Sequence, residues 1–361
     1  MYDAIPYDGM LEANTHDFGL RAIPNYHFDK ANVIVSFGAD FIGNWLNNDY
    51  STDYIKGRNP KKGRMSKHYQ IETNLSLTGS NADKRIAIKP SEQKMLLADL
   101  YTSLSKNQTP KDNRLLEISK RLLNNKGESI IVCDSNDIES QLIVNAINSI
   151  LDNYNKTISL KEPSYIRKGN SKRVDNLINE MKSGKVGALI TYNVNPSYNL
   201  YNAKEFNSAL SSVDLTISTS LYNDETASLM KYVCPGHHNL ESWGDAHPSH
   251  NNYTLMQPTI APLFNTRQFE ETLLNWIDKN DYHTYLSNFW KAKGVNWEKA
   301  LHDGFFTIKD KEPQLKPIPV LDTKLLSYVI VAACTTLLDH YRSLKTRRKN
   351  LDDNRYNENI L

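Results

Sequence analysis

The chain has 361 residues, with 43 Lys and Arg against 41 Asp and Glu, a formal net charge of +2. That balance argues against a nucleic-acid binder working by bulk charge. The apolar fraction of 39% is enough for a core, and the length suits two or three domain-sized units or one large α/β unit with a second lobe. Three cysteines, Cys133, Cys234 and Cys334, lie about a hundred residues apart with no C-x-x-C, so the chain carries no ferredoxin-type cluster motif.

Met1 is followed by YDAIPYD, which lacks the basic-then-apolar order of an export signal. The first 30 residues read as loop and short helix. Asn32–Phe37 is the first clear strand, and it runs into Gly38-Ala39-Asp40. A strand ending in G-x-D is a sheet-edge loop where backbone can approach a ligand. The plainer alternative, which the motif favours, is a β-α turn with Asp40 near a helix N-terminus. Lys56, Arg58, Lys61, Lys62 and Arg64 form a basic loop, read as a solvated surface or, less readily, a patch for a partner subunit. Ile71, Leu75 and Leu77 suggest extended or irregular buried structure. Ser91 has the position of an N-cap for a helix through SEQKMLLADLYTSL.

Residues 113–124 place Leu115, Leu116, Ile118, Leu122 and Leu123 at helical spacing. A strand at 129–135 and a helix at Asp137–Leu151 follow. Then come a helix at Ser171–Met181, a strand at 186–192, a helix at 203–211 and a strand over Asp214–Thr219. This alternation predicts an α/β fold, doubly wound around mostly parallel sheets with right-handed crossovers. Beyond Asp245 the pattern is an irregular, Pro-punctuated loop. It gives way to an amphipathic helix at Thr266–Asp278, capped by Thr266, with Glu270 and Glu271 in its first turns. Helices at Tyr282–Ala292 and Trp297–Asp303 precede a proline-marked linker. The remainder holds one apolar run, Leu325–Leu338, too short for a membrane span, and a highly charged end.

Ala188–Asp245 gathers the unusual chemistry, because two short strands in it feed loops rich in Asn, Ser, Asp and Glu, where ligands of open parallel sheets lie. Cys234, His237, His238, His247 and His250 have the spacing C-x2-H-H-x8-H-x2-H, which matches no standard zinc pattern. Glu225, Glu241 and Asp245 could work as acid and base only if folding brought them together, and Glu225 has a plainer reading in the first turn of a short helix at 224–230. No G-x-S-x-G, Walker or G-x-G-x-x-G motif occurs.

Asp224-Glu225-Thr226-Ala227, Pro235, Leu240–Asp245, Gln257–Pro262 and Thr266-Arg267 resemble the molybdopterin oxidoreductase superfamily, and Asn195-Pro196 is similar to that family's loop at the guanine end of its dinucleotide cofactor. Three blocks, FDKANVIVSFGADFIGNW, HYQIETNLSLTGSNADKRIAIKPSEQ and the stretch from His237 to Trp276, resemble more narrowly the molybdopterin-like and iron–sulfur large subunit of bacterial alternative complex III, of the Bacteroidetes type. The resemblance covers roughly residues 2–306.

It implies doubly wound lobes of molybdopterin-oxidoreductase type: a first lobe at 1–125, incomplete at its N-terminus, a second at 126–306, and an atypical linker and tail at 307–361. It also implies a cofactor-free scaffold within a quinol-oxidising respiratory electron-transfer complex, peripheral on the periplasmic face of the bacterial inner membrane. Its partners would be cytochrome and quinol-binding membrane subunits, with iron–sulfur clusters in a C-terminal part that is not present here. This chain alone would not be catalytic, no metal ligand is assigned in it, and no nucleic-acid partner is implied. The alternative is a fragment of an active bis-molybdopterin guanine dinucleotide oxidoreductase of the polysulfide or tetrathionate reductase type. Asn193, Asn195, Thr226, Glu241 and Asp245 would then contact the cofactor. Two departures stand out: Cys234 where the family carries an apolar residue, and Tyr201 where it often carries Pro.

Overall fold

A computed structural model describes residues 1–47, 50–63, 65–277 and 281–317. Arg64 of the basic loop, Asp278, Pro319, the apolar run 325–338, Cys334 and the charged C-terminal end lie outside the described residues. The chain divides into two units. One is Tyr7–Pro163 with the chain from Glu312, and the other is Met1–Pro6 with Ser164–Lys311.

In the first unit, α1 (Asp8–Phe18) and β1 (Ile23–Tyr26) precede β2 (Val33–Phe37), α2 (Ser51–Lys56), β3 (Lys67–Glu72), α3 (Leu77–Ser80) and β4 (Lys84–Ala87). Then come α4 (Gln93–Lys106), α5 (Leu116–Leu123), β5 (Ser129–Cys133), α6 (Ile138–Ile150) and β6 (Ile158–Ser164), which pairs with β1. The main sheet has the order β4-β3-β2-β5 and every pairing is parallel. Val33–Phe37 lies in register with Lys67–Ile71 on one side and Ser129–Cys133 on the other. Strands VIVSF and SIIVC are buried at every position because such a sheet is covered on both faces. Alternation sorts their side chains: Val33, Val35, Phe37, Ile131 and Cys133 join one core with α4, α5 and α6. Ile34, Ile130 and Val132 join a second core with Phe18, Phe28, Phe41 and Tyr154.

The boundary expected at 125/126 lies inside this unit, since β5 adds directly to β2. Leu75 and Leu77 are exposed, at 67% and 54%, because they belong to the loop beyond β3 and the first position of α3. Ser91 does not cap α4. The helix is entered through a 3-10 turn, Pro90–Glu92, in which Glu92 accepts from the Lys89 N–H at 2.7 Å. Asp137 does cap α6, accepting from Ser140 N–H at 3.0 Å.

In the second unit, α7 (Ser171–Lys182), β7 (Ala188–Thr191), α8 (Pro196–Asn199), α9 (Ala203–Leu210), β8 (Leu215–Ser218) and β9 (Tyr232–Val233) build a parallel sheet of order β7-β8-β9. Ile178, Met181, Phe206 and Leu210 cover one face of it. An antiparallel sheet follows from β10 (Gly244–Ser249), β11 (Asn252–Met256) and, after α10 (Phe269–Asn275), α11 (Tyr282–Ala292) and α12 (Trp297–Asp303), β12 (Phe305–Thr307). The loop expected after Asp245 is therefore a hairpin. Pro248 falls in the register shift between Ala246 and Ser249, where no ladder N–H is needed, and Asn251 turns the chain at φ 64°. Thr266 is not a helix cap, since α10 begins three residues later, although Glu270 and Glu271 do occupy its first turn. Among the described residues no helix is long and apolar enough to cross a membrane.

Candidate functional site

Two parallel-sheet edges carry polar loops. In the second unit β7 and β8 end together, with Thr191 opposite Ser218. The chain leaves β7 through Asn193, at φ 51°, and Asn195 then reaches the loop after β8. Asn195 Oδ1 accepts from Thr226 N at 3.2 Å and from Thr226 Oγ1 at 2.7 Å, while its Nδ2 donates to Glu225 Oε2 at 2.7 Å. Thr226 Oγ1 also accepts from Ser197 N at 2.9 Å, and Thr226 is fully buried. The expected helix at 224–230 is a 3-10 turn, Ala227–Leu229, whose first N–H is held by Asp224 at 2.8 Å. Glu225 thus serves the clamp rather than a helix dipole.

Glu241 accepts from His238 N–H at 2.9 Å and Leu263 N–H at 3.0 Å; these two donors, Leu263 first, hold its pKa below the ordinary value. Asp245 accepts from the indole N–H of buried Trp290 at 3.0 Å. Although the residue as a whole is exposed, its carboxyl lies against that ring, and desolvation raises its pKa. Each carboxylate is thus engaged by separate donors, and none pairs with another for acid–base work. The histidines fall to separate partners except that His247 and buried His250 share Asp310, whose Oδ2 lies 3.6 Å from His250 Nδ1. His237 Nε2 meets Thr266 O at 3.1 Å, His238 Nδ1 accepts from Leu240 N–H at 3.2 Å, and His247 Nε2 meets Asp310 Oδ2 at 2.9 Å. Among the described residues, metal-type side chains gather instead at His27, Asp29 and Asp53, whose ligand atoms lie within 4.8 Å of one another. There Lys56 already pairs with Asp53 at 2.9 Å.

The second edge was only partly legible. At the C-terminal ends of β2, β3 and β5, where the strand order reverses, a cavity of about 200 Å³ is lined by Gly38, Glu72, Asn74, Ser76, Gln93 and Asp134, among others. Gly38 sits at φ +76°, and a Cβ there would lie 2.5 Å from the Asp134 carboxylate. Gly38→Ala is expected to destabilise the first unit by about 1–2 kcal/mol, read in a denaturant melt. Gln93 Nε2 bridges Phe37 O at 2.9 Å and Asp134 Oδ1 at 2.8 Å. Desolvation raises the Asp134 pKa, and nearby Glu72 adds to it. Glu72 is itself buried; desolvation is outweighed by Ser76 Oγ and Arg85 Nε, both at 2.6 Å, so its pKa is lowered. Asp40 accepts from Thr78 N at 2.9 Å and Oγ1 at 2.6 Å, so it does serve a helix start, but that of α3 beyond β3 rather than the helix that follows β2 in the chain. Glu72, Gln93 and Asp134 were missed in the sequence. For Glu72 and Asp134 the available signal is a polar residue closing or following an apolar strand, whereas Gln93 opens α4 and carries no such mark.

A pterin dinucleotide would need a ring of free donors and acceptors, and the five wall residues do not supply one. Thr226 is enclosed, both polar side-chain atoms of Asn195 and both oxygens of Glu241 already bond protein groups, and Asp245 Oδ2 is taken by Trp290. Asn193 is exposed on its loop. The buried hydroxyls Thr191 Oγ1 and Ser197 Oγ have no partner among the described residues, but two single hydroxyls do not make a cradle.

No family model and no curated protein matches the chain. Among solved structures, acetylene hydratase from Pelobacter acetylenicus is similar, with a TM-score of 0.59 and 13% identity over 86% of this chain. The formyltransferase/hydrolase complex FhcABCD from Methylorubrum extorquens, solved with methylofuran, is matched at a TM-score of 0.45 and 11% identity, over 73% of this chain and 79% of that one, which is too weak to carry an argument. The match to acetylene hydratase spans 56% of that protein's length and is a likeness of fold alone.

Proposed function

We propose that the chain is the cofactor-free, molybdopterin-like scaffold portion of a quinol-oxidising respiratory complex of the alternative complex III type. The observation that carries the cofactor-free part is the clamp at the ends of β7 and β8. The Asn195 amide, the Thr226 hydroxyl and the Glu225 carboxylate bond to one another, and the Ser197 main-chain N–H donates to Thr226 Oγ1, so these groups are already engaged within the protein. The complex itself rests on the resemblance of the three sequence blocks, and the fold likeness to acetylene hydratase supports the lobe type. In this reading electrons travel through iron–sulfur clusters held elsewhere. The partners are cytochrome and quinol-binding membrane subunits on the periplasmic face of the inner membrane.

The second reading, an active molybdopterin guanine dinucleotide enzyme, draws on the cavity at Gly38 and Asp134. Purified protein from a host that makes the cofactor decides between the two. The scaffold reading expects only trace molybdenum and no fluorescent pterin oxidation product, and stoichiometric amounts of either would overturn it. Membership of the complex is tested separately by whether quinol-oxidising membrane subunits co-purify with the tagged chain. Asn195→Ala should also cost the second unit about 1–3 kcal/mol, with faster amide exchange at Thr226, because it strips the Thr226 hydroxyl and N–H of their acceptor and Glu225 of a donor.

A further inference from the structure

The antiparallel sheet of the second unit ends on β12, whose outer side is open among the described residues. Leu255 N–H donates to Gly304 O at 2.9 Å, Ile308 N–H donates to Asn251 O at 3.1 Å, and Phe306 lies opposite Tyr253. Gly304, Phe306 and Ile308 therefore turn their main chain toward β11. By the alternation of an antiparallel ladder, the N–H and C=O groups of Phe305 and Thr307 point the other way. Phe305 is 59% exposed, and Thr307 is exposed as well. Proteins usually blunt such an edge by shortness, proline, a bulge or an inward charge; Phe305–Thr307 is short, at three residues, but has none of the others.

Beside this edge lies a cavity of about 550 Å³. The α11–α12 connection and α12 contribute Lys293, Asn296 and Lys299 to its wall, and Phe305 and Phe306 supply apolar surface. Neither lysine is ion-paired among the described residues. Lys293 Nζ rests over the Phe289 ring at 4.4 Å from its centroid, and the carboxylate in the lining, Asp303, is engaged by His302 Nδ1 at 2.8 Å. An open pair of main-chain donors and acceptors, a partly apolar groove and two ammonium groups with no carboxylate partner among the described residues together specify an occupant. It has an extended backbone and carboxylates on alternate residues.

We infer that β12 is a docking edge that takes up an extended acidic segment of a partner chain as an added strand. The segment's main chain pairs with Phe305 and Thr307, and its carboxylates meet Lys293 and Lys299. This inference does not depend on the proposed respiratory role.

The test uses the full chain and a fluorescein-labelled peptide of alternating Val and Glu, followed by anisotropy. Saturable binding is expected, about tenfold weaker for the Val/Lys analogue and for Lys293→Glu with Lys299→Glu. Two N-methylated peptides, blocked on odd or on even residues, separate strand pairing from simple charge attraction without touching the protein. One parity should abolish binding and the other retain it. Thr307→Pro should weaken binding while leaving the β11 pairing intact, because that N–H faces outward. Absent binding, equal binding of the lysine analogue, or equal binding of both methylated peptides would overturn the inference. So would a dimer of the chain alone that Thr307→Pro dissolves, because the edge would then belong to a second copy.

Discussion

Replacing Phe28 with alanine is expected to cost the first unit about 4 kcal/mol. The ring is fully buried on a 3-10 turn, Phe28–Lys30, between β1 and β2. It stacks on Phe41 with centroids 4.3 Å apart and planes 19° apart, and meets Tyr50 edge-on at 5.2 Å. Tyr26, also buried, lies 6.4 Å from Phe28 and 5.4 Å from Trp45. Burial of the ring supplies most of the effect, and each well-placed aromatic pair adds about 0.5–1.5 kcal/mol. The neighbours come from a strand, two loops and the entry to a helix, each fixed by its own hydrogen bonds, so the cavity cannot close by shifting one element. Native-state hydrogen exchange of peptides spanning β2 and β3 reads the loss in this unit alone. A loss under about 1 kcal/mol would mean that the cluster refills the space and would refute the prediction. Phe28→Leu, which keeps most of the volume, should lose clearly less.

The aromatic cluster also shows what a single sequence carries and what it withholds. VIVSF and SIIVC announce buried parallel strands because both faces are apolar, and the helices at Tyr282–Ala292 and Trp297–Asp303 are found with the ends expected. IPNY of β1 and ISLKEPS of β6 contain proline and mixed polarity, so neither alternation nor an apolar run marks them. The hairpin at Gly244–Met256 is hidden for a related reason. A bulge around Pro248 breaks its period, and its turn uses Asn251 rather than an Asn-Gly pair. The wall behaves differently. Asn195, Glu225 and Thr226 stand out in the sequence as polar residues beyond strands, yet only the β7–β8 register shows that they bond to each other. The same holds for Gly38, Gln93 and Asp134, which the strand order alone brings to one cavity. Residue type and position along a strand are thus legible, whereas the partner that consumes a polar atom is a property of register.

Register also underlies the pH dependence of the first unit, which should lose stability in two steps as acid is added. His68, on β3, is fully buried between Tyr54 OH at 3.0 Å from Nδ1 and Gln70 Oε1 at 3.2 Å from Nε2. Desolvation is the main influence and pushes its pKa down to about 4. The Arg58 charge acts in the same direction, while the Gln70 hydrogen bond and the charges of Asp83 and Glu72 oppose it. The unfolded chain protonates this histidine near its ordinary value, so the stabilisation is complete above about pH 6.5 and is lost as pH falls toward about 4. The shift corresponds to about 3 kcal/mol. Asp83 supplies the second step. It accepts from Arg58 Nη1 at 2.7 Å and from the His68 N–H at 2.7 Å. Desolvation raises its pKa, but Arg58, the His68 N–H and Lys67 outweigh it and leave the carboxyl at about 2. Its contribution, about 1 kcal/mol once solvent screening at this exposed residue is counted, is present above the unfolded carboxylate pKa and disappears as pH falls from about 4 to about 2. Urea unfolding followed by exchange of the β3 peptide at pH 7, 4.5 and 2.5 should show both losses. His68→Gln is expected to remove the first step and keep the second, and Asp83→Asn the reverse. A melt that is flat between pH 7 and 4.5 in the parent chain would show that the imidazole is not held neutral by its burial, and would break the link between β3 packing and acid sensitivity.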